Sequence, residues 1–146
     1  MKIKTTRFGT IDIQKDRLIY MSKGMLGFPE SKRFFILQHR EDSPFYWYQS
    51  ADEAGLAFVI TSPFFFLPDY EVDVEKTVMD MSWDNEAENN LELYVVVNIS
   101  RGSPKQITAN LIGPLLINTA IRQAVQMVVS DSAYSHKFPL LRETQH

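Results

Sequence analysis

The sequence predicts a mainly β fold: a small, antiparallel-rich β-barrel or pseudobarrel with one short helix. Three observations carry that expectation. Apolar residues recur with period two, or in short runs, along most of the 146 residues. Gly, Pro, Asn, Asp and Ser bound nearly every run. Only one segment has helical spacing. An apolar fraction of 45% and ten Phe exclude a disordered chain, and the length suits a single domain with a real core. Residues 1–146 therefore read as one domain.

Residues 3–8 and 10–14 alternate around Gly9. Residues 17–21 follow across Lys15-Asp16, which reads as a short hairpin turn. A loop over 22–29 is punctuated by Gly24, Gly27 and Pro29, and both glycines read as positions of positive φ. Three compact strands follow, 34–38, 45–49 and 56–61. In the second of them, alternation puts Phe45 and Trp47 on one face and Tyr46 and Tyr48 on the other. Residues 70–74 alternate as one more strand. Val74, Val78 and Met81 then take helical spacing, with acids at the front of the run where the helix dipole favours them. LELYVVVNIS, residues 91–100, is the strongest strand, and a turn over 101–104 leads to strands at 106–112 and 115–119. Over 120–130 Ala, Arg and Gln favour helix, but Val125, Met127 and Val129 alternate and favour strand. The tail from about 132 to 146 holds Tyr134, Phe138 and Leu140, then turns polar and is expected to be only partly ordered.

Net charge is −3, and half of the 18 acidic residues fall between Asp69 and Glu92, where Lys76 is the only base. Such a window repels phosphates and attracts a basic partner. It opens on SPFFFLPDYEVDVE, residues 62–75. Pro63 and Pro68 cannot donate to a ladder, so Phe64, Phe65 and Phe66 belong to a connection or an edge. On a strand, three consecutive rings cannot share one face: either Phe65 or the pair Phe64 and Phe66 points away from the core. An exposed ring forgoes roughly 1.5–3 kcal/mol unless something covers it. Phe64, Phe65, Phe66, Asp69, Tyr70, Glu71 and Asp73 are thus the candidate partner-binding stretch. Cover by another part of the same chain is the alternative.

Motifs of chemistry are missing. Cysteine is absent, and His39, His136 and His146 show no metal-ligand spacing. There is no GxGxxG and no P-loop. Asp131, Ser132, Ser135 and His136 crowd into six residues, unlike a triad assembled from separated segments. Asp52 and Glu53 read as a solvated turn, and no basic cluster with interleaved aromatics suggests RNA binding. Asn98-Ile99-Ser100 matches a glycosylation sequon by chance, inside a strand. No apolar run reaches bilayer length, and MKIKTTRFG lacks the apolar core of a signal peptide. The expectation is a cytoplasmic protein without catalytic residues, metal, cofactor or small-molecule substrate, and without direct nucleic-acid or membrane binding.

Several pieces stand in a recognisable order: Phe8-Gly9, Gly24-Met25-Leu26-Gly27-Phe28, Trp47-Tyr48-Gln49-Ser50, Leu56-Ala57-Phe58, and Ser62-Pro63 with Asp69-Tyr70. The block TANLIGPLLIN, residues 108–118, then Gln126 and Asp131-Ser132-Ala133-Tyr134 complete the series. Together they resemble the flagellar assembly factor FliW family over nearly the whole chain. Two departures are Leu26, where Pro is common in the family, and Gly113, where Ala often precedes Pro114. The resemblance implies a non-catalytic β-barrel-like protein that binds flagellin and, when free of it, binds and antagonises the RNA-binding translational regulator CsrA. Among its motif positions, Gly24, Gly27, Asn110, Leu111, Pro114 and Asn118 read as structural: Asn ties down backbone at strand ends, and Pro marks a bulge or edge. The runner-up is a generic β-barrel interaction module in another assembly, and a motif-free enzyme comes third.

Overall fold

The computed structural model describes residues 1–38, 40–84, 89–100, 106–130 and 134–142. His39, His146, Glu86, Glu88, the 101–104 turn and Asp131-Ser132-Ala133 lie outside them. In chain order the strands are β1 (Lys2–Thr5), β2 (Gly9–Asp12), β3 (Ile19–Tyr20), β4 (Arg33–Gln38), β5 (Phe45–Ser50), β6 (Ala57–Thr61), β7 (Leu91–Ser100), β8 (Gln106–Ala109), β9 (Leu115–Asn118), β10 (Gln123–Gln126) and β11 (Phe138–Arg142). One helix, α1 (Glu75–Asp80), lies before β7, where the spacing predicts it.

β4 to β7 form an antiparallel meander. β7 then pairs with three strands: β6 at Val95–Val97, β8 from Val97 onward and β9 at Leu91–Tyr94. β9 pairs with β10, β10 meets β3 in parallel at Gln123–Tyr20, and β3 pairs with β4. The seven strands β3, β4, β5, β6, β7, β9 and β10 therefore close on themselves, which makes the predicted barrel. β8 and β11 form a flap outside the ring.

Closure depends on a bulge at residues 110–114. Between the Val97–Ala109 and Tyr94–Leu115 pairs, β7 advances three residues while the opposing chain advances six. Asn110 Oδ1 accepts from the amides of Ile112 and Gly113, both at 3.1 Å, which folds the extra residues into a tight turn. Gln126 Nε2 donates to Gly113 O (2.9 Å), and Gln126 Oε1 accepts from Leu26 N (2.9 Å). Both family departures thus meet on one side chain. A Cβ on Gly113 would lie 2.9 Å from Asn110 Nδ2 and 3.1 Å from Gln126 Nε2, so glycine gives both amides room. Asn118, buried at the end of β9, accepts from Ala120 N at 3.1 Å and turns the chain into β10.

Ring stacking of Phe34 on Tyr48, 4.5 Å between centroids, anchors the barrel interior with Ile19, Met25, Ile60, Leu115 and Ile117. Tyr46 packs with this cluster, whereas Phe45 and Trp47 face outward beside Val59 and Val97, as alternation predicts. The β1–β2 hairpin covers Phe35 and Leu18 on the outer face, and α1 covers Leu116 and Val125 with Val78 and Met81.

Four expectations need correction. The first hairpin joins β1 to β2, not β2 to β3: Gly9 at φ +70° and Thr5 Oγ1, which donates to Gly9 O (2.7 Å), make its turn. Residues 15–17 are a 3-10 turn that sends β3 on to β4 and β10. Residues 70–74 form no strand, for reasons given below. β8 stops at Ala109 because Asn110 captures the following amides. Beyond β8, the tail contributes β11, which pairs with β8 despite Pro139. Asp52 is no idle turn residue either: its Oδ2 accepts from Lys32 N and Arg33 N (2.8 and 2.9 Å) and its Oδ1 from Arg33 Nε (2.8 Å).

Partial burial pushes the Asp52 carboxyl up, but the Arg33 guanidinium and the two amides outweigh it and hold it below the usual carboxylate range. A depressed folded-state value contributes stability above the unfolded pKa of about 3.9 and loses it as pH falls through the folded value. Wild type is therefore expected to exceed Asp52→Asn in urea-denaturation stability at pH 7, with the gap closing as pH falls below about 4. In the 22–29 loop, Gly24 sits at φ +64° with an added Cβ driven into the Phe28 carbonyl oxygen, whereas Gly27 at φ +87° has open space. By the same measurement Gly27→Ala should cost about 1 kcal/mol and Gly24→Ala about 2 kcal/mol or more.

Candidate partner-binding site

Pro63 presets φ at the first position of a 3-10 turn, Pro63–Phe65, and its carbonyl accepts from Phe66 N (3.3 Å) and Leu67 N (2.9 Å). Successive residues of such a turn rotate by about 120°, so the three rings diverge. Phe66 turns inward onto Phe138, 5.6 Å between centroids, while Phe64 is 47% and Phe65 62% exposed. The strand-based expectation of Phe65 alone or Phe64 with Phe66 gives way to Phe64 with Phe65, because the backbone here is not a strand.

Tyr70, at 3% exposure, is the bolt of this region. Its hydroxyl donates to Leu111 O at 2.6 Å, and its ring lies 4.8 Å from that of Tyr134. Burial pushes the Tyr70 phenol well above its ordinary range, with Tyr134 adding to the effect. The Tyr134 hydroxyl accepts from Glu71 N (3.0 Å) and donates to Glu71 O (3.2 Å). These side-chain bonds hold the backbone where a neighbouring strand would, so residues 70–74 run as a strap without a ladder. Burial still alternates along it: Tyr70, Val72 and Val74 inward, Glu71 and Asp73 outward. Asp73 Oδ1 accepts from Glu75 N at 3.0 Å and so starts α1. Asp69 is exposed at the turn before the strap.

Beside the strap lies an open groove of about 490 Å³, walled by Val72 and Val74 on one side and Leu91, Leu93 and Leu116 on the other. Phe64 borders the groove with the rim acids Glu71 and Asp73. The candidate stretch thus divides: Phe64, Phe65, Asp69, Glu71 and Asp73 face outward, Phe66 and Tyr70 hold the segment in place. Sequence reasoning overlooked the floor, Leu91, Leu93 and Leu116. The available signal was apolar residues on both faces of 91–97, which says that the outer face of β7 meets something other than water.

The arrangement offers apolar surface and negative charge rather than converging acid, base and nucleophile. Tyr70→Phe is expected to lower stability by about 1–2 kcal/mol through the orphaned Leu111 carbonyl. Phe65→Ala should stay within about 0.5 kcal/mol of wild type, as an exposed side chain does. Urea denaturation of both variants checks the division.

A family model described as FliW protein matches residues 2–140. The flagellar assembly factor FliW of Syntrophus aciditrophicus is 38% identical over 146 residues, 99% of this chain and 90% of that one. That of Treponema denticola is 38% identical over 98% of this chain and 95% of its own, and that of Bacillus subtilis 34% identical over 96% of each. A crystal structure of the flagellar assembly factor FliW superposes with a TM-score of 0.85 at 32% identity, covering 99% of both chains. The chain belongs to the FliW family of flagellar assembly factors.

Proposed function

We propose that this chain is a non-catalytic, cytoplasmic flagellar assembly factor that works by exchanging partners. It binds flagellin; once flagellin has been exported, the freed chain binds CsrA, antagonises it and lifts repression of flagellin translation. The partners are those that the resemblance to the family implies. The observation that carries the site is the pair of exposed rings, Phe64 and Phe65, set beside an apolar groove whose rim bears Glu71 and Asp73. Exposed apolar surface next to like charges suits a docking face. CsrA binds RNA and so carries basic surface, which the carboxylates of Asp69, Glu71 and Asp73 complement. The whole chain, tail included, acts as one FliW-like domain, with no cofactor, metal, nucleic acid or membrane in the cycle.

Purified chain is expected to capture purified flagellin and purified CsrA, each separately, at micromolar concentration. Failure with both would leave a β-barrel module of some other assembly. Reversing Asp69, Glu71 and Asp73 to Lys should slow CsrA association at low salt by about tenfold or more, read by stopped-flow or surface binding. An unchanged rate at low salt counts against the acidic face as the CsrA surface.

A further inference from the structure

The groove beside the strap has features that specify the shape of what fills it. Its walls are apolar on both sides, Val72 and Val74 facing Leu91, Leu93 and Leu116. Such a floor takes side chains, not a charged or strongly hydrated group. Its rim is acidic: Glu71 and Asp73 are exposed and border it, and Asp69 and Glu75 flank them in the chain. No base stands within residues 69–75, and the first to follow is Lys76.

The strap itself supplies the third feature. Burial alternates from Tyr70 to Asp73, before Val74 turns to φ −97°, ψ −6° at the start of α1. In a chain extended over those four residues, the N–H and C=O of successive residues point to opposite edges. Glu71 spends both of its backbone groups on the Tyr134 hydroxyl. Val72 therefore presents its own N–H and C=O on the other edge, and neither is engaged by any backbone or side-chain hydrogen bond among the described residues. A strand-like segment with one bonded edge and one open edge, lying along an apolar groove, is the arrangement that peptide-binding sheets present to an incoming strand.

We propose that the groove binds an extended segment of a partner protein in which apolar side chains alternate with Lys or Arg. The alternate apolar side chains seat between the valines of the strap and the leucines of β7 and β9. The intervening cations meet Glu71 and Asp73, and the main chain pairs with the N–H and C=O of Val72, which no described residue engages. The exposed edge of Phe64 closes one end of the groove and covers the first apolar side chain. A helix is the less suitable occupant, because its satisfied backbone leaves the Val72 groups unpaired. This inference deepens the partner-exchange proposal, which it needs only to say which proteins supply such a segment.

The test uses the full chain and a labelled short synthetic peptide alternating Val and Lys, with a Val–Glu peptide of the same length as its counterpart. The Val–Lys peptide should bind by fluorescence anisotropy. In amide NMR spectra it should move the resonances of Phe64, residues 70–74 and Leu91 to Leu93 while leaving the β1–β2 hairpin unmoved. Binding should weaken about tenfold or more for the Val–Glu peptide and for the double variant Glu71→Lys/Asp73→Lys. Phe64→Ala should weaken it several-fold at a temperature where circular dichroism shows the variant fully folded. No binding at millimolar peptide, shifts centred elsewhere, or equal affinity for the two peptides would overturn the proposal. If the peptide maps to the groove while neither flagellin nor CsrA is captured, the partner assignment fails and the groove stands. If both proteins are captured equally well by wild type and by the double variant, the groove fails and the partner exchange stands.

Discussion

The bulge at residues 110–114 is the constraint on which the rest of the structure depends. β7 has one edge free once β6 is in place, and two strands must share it. Without the extra residues, β8 would run straight on along β7 and no strand would turn back to meet β10 and β3. Asn110 absorbs the surplus by capturing two amides, and Gln126 fixes the carbonyl that follows. Pro114 then re-enters the sheet, its carbonyl accepting from Met127 at 2.7 Å. Buried backbone has to find partners somewhere, and here two amide side chains provide them.

That same bulge also positions the outer face. Leu111 accepts the Tyr70 hydroxyl through its carbonyl and donates its amide to Ser135 O at 2.9 Å. The strap and the segment leading to β11 are therefore referred to one residue of the barrel frame. Tyr134 ties the two to each other across Glu71. Phe64 and Phe65 are held out on a short 3-10 turn at the start of the strap, and the acids follow on its outward side. Stability and presentation of the candidate docking face thus share a single physical support, four hydrogen bonds and a pair of tilted tyrosine rings.

The barrel was legible because period-two patterning survives wherever one face of a strand is buried. β4, β5, β6 and β7 match their predicted spans to within a residue or so, and α1 is correct because Val74, Val78 and Met81 share one face. Pairing was less legible. The alternation of 10–14 and 17–21 looks like a hairpin, but the turn chemistry lies in Thr5 and Gly9, not in Lys15-Asp16. Residues 70–74 have the pattern of a strand and no strand beside them; local sequence does not reveal that a tyrosine hydroxyl takes the neighbour's place. The acidic rim and the surplus of aromatic rings could be read directly. The floor of the groove could not, since Leu91, Leu93 and Leu116 meet only after the barrel closes.

Partner exchange requires that flagellin and CsrA exclude each other from this one chain. Titrating purified flagellin into a preformed complex of the chain with CsrA, followed by size-exclusion chromatography with light scattering, tests that requirement most directly. The account predicts that CsrA is released in proportion to flagellin bound, with only the two binary complexes present. A stable ternary complex, with CsrA retained at saturating flagellin, would contradict it.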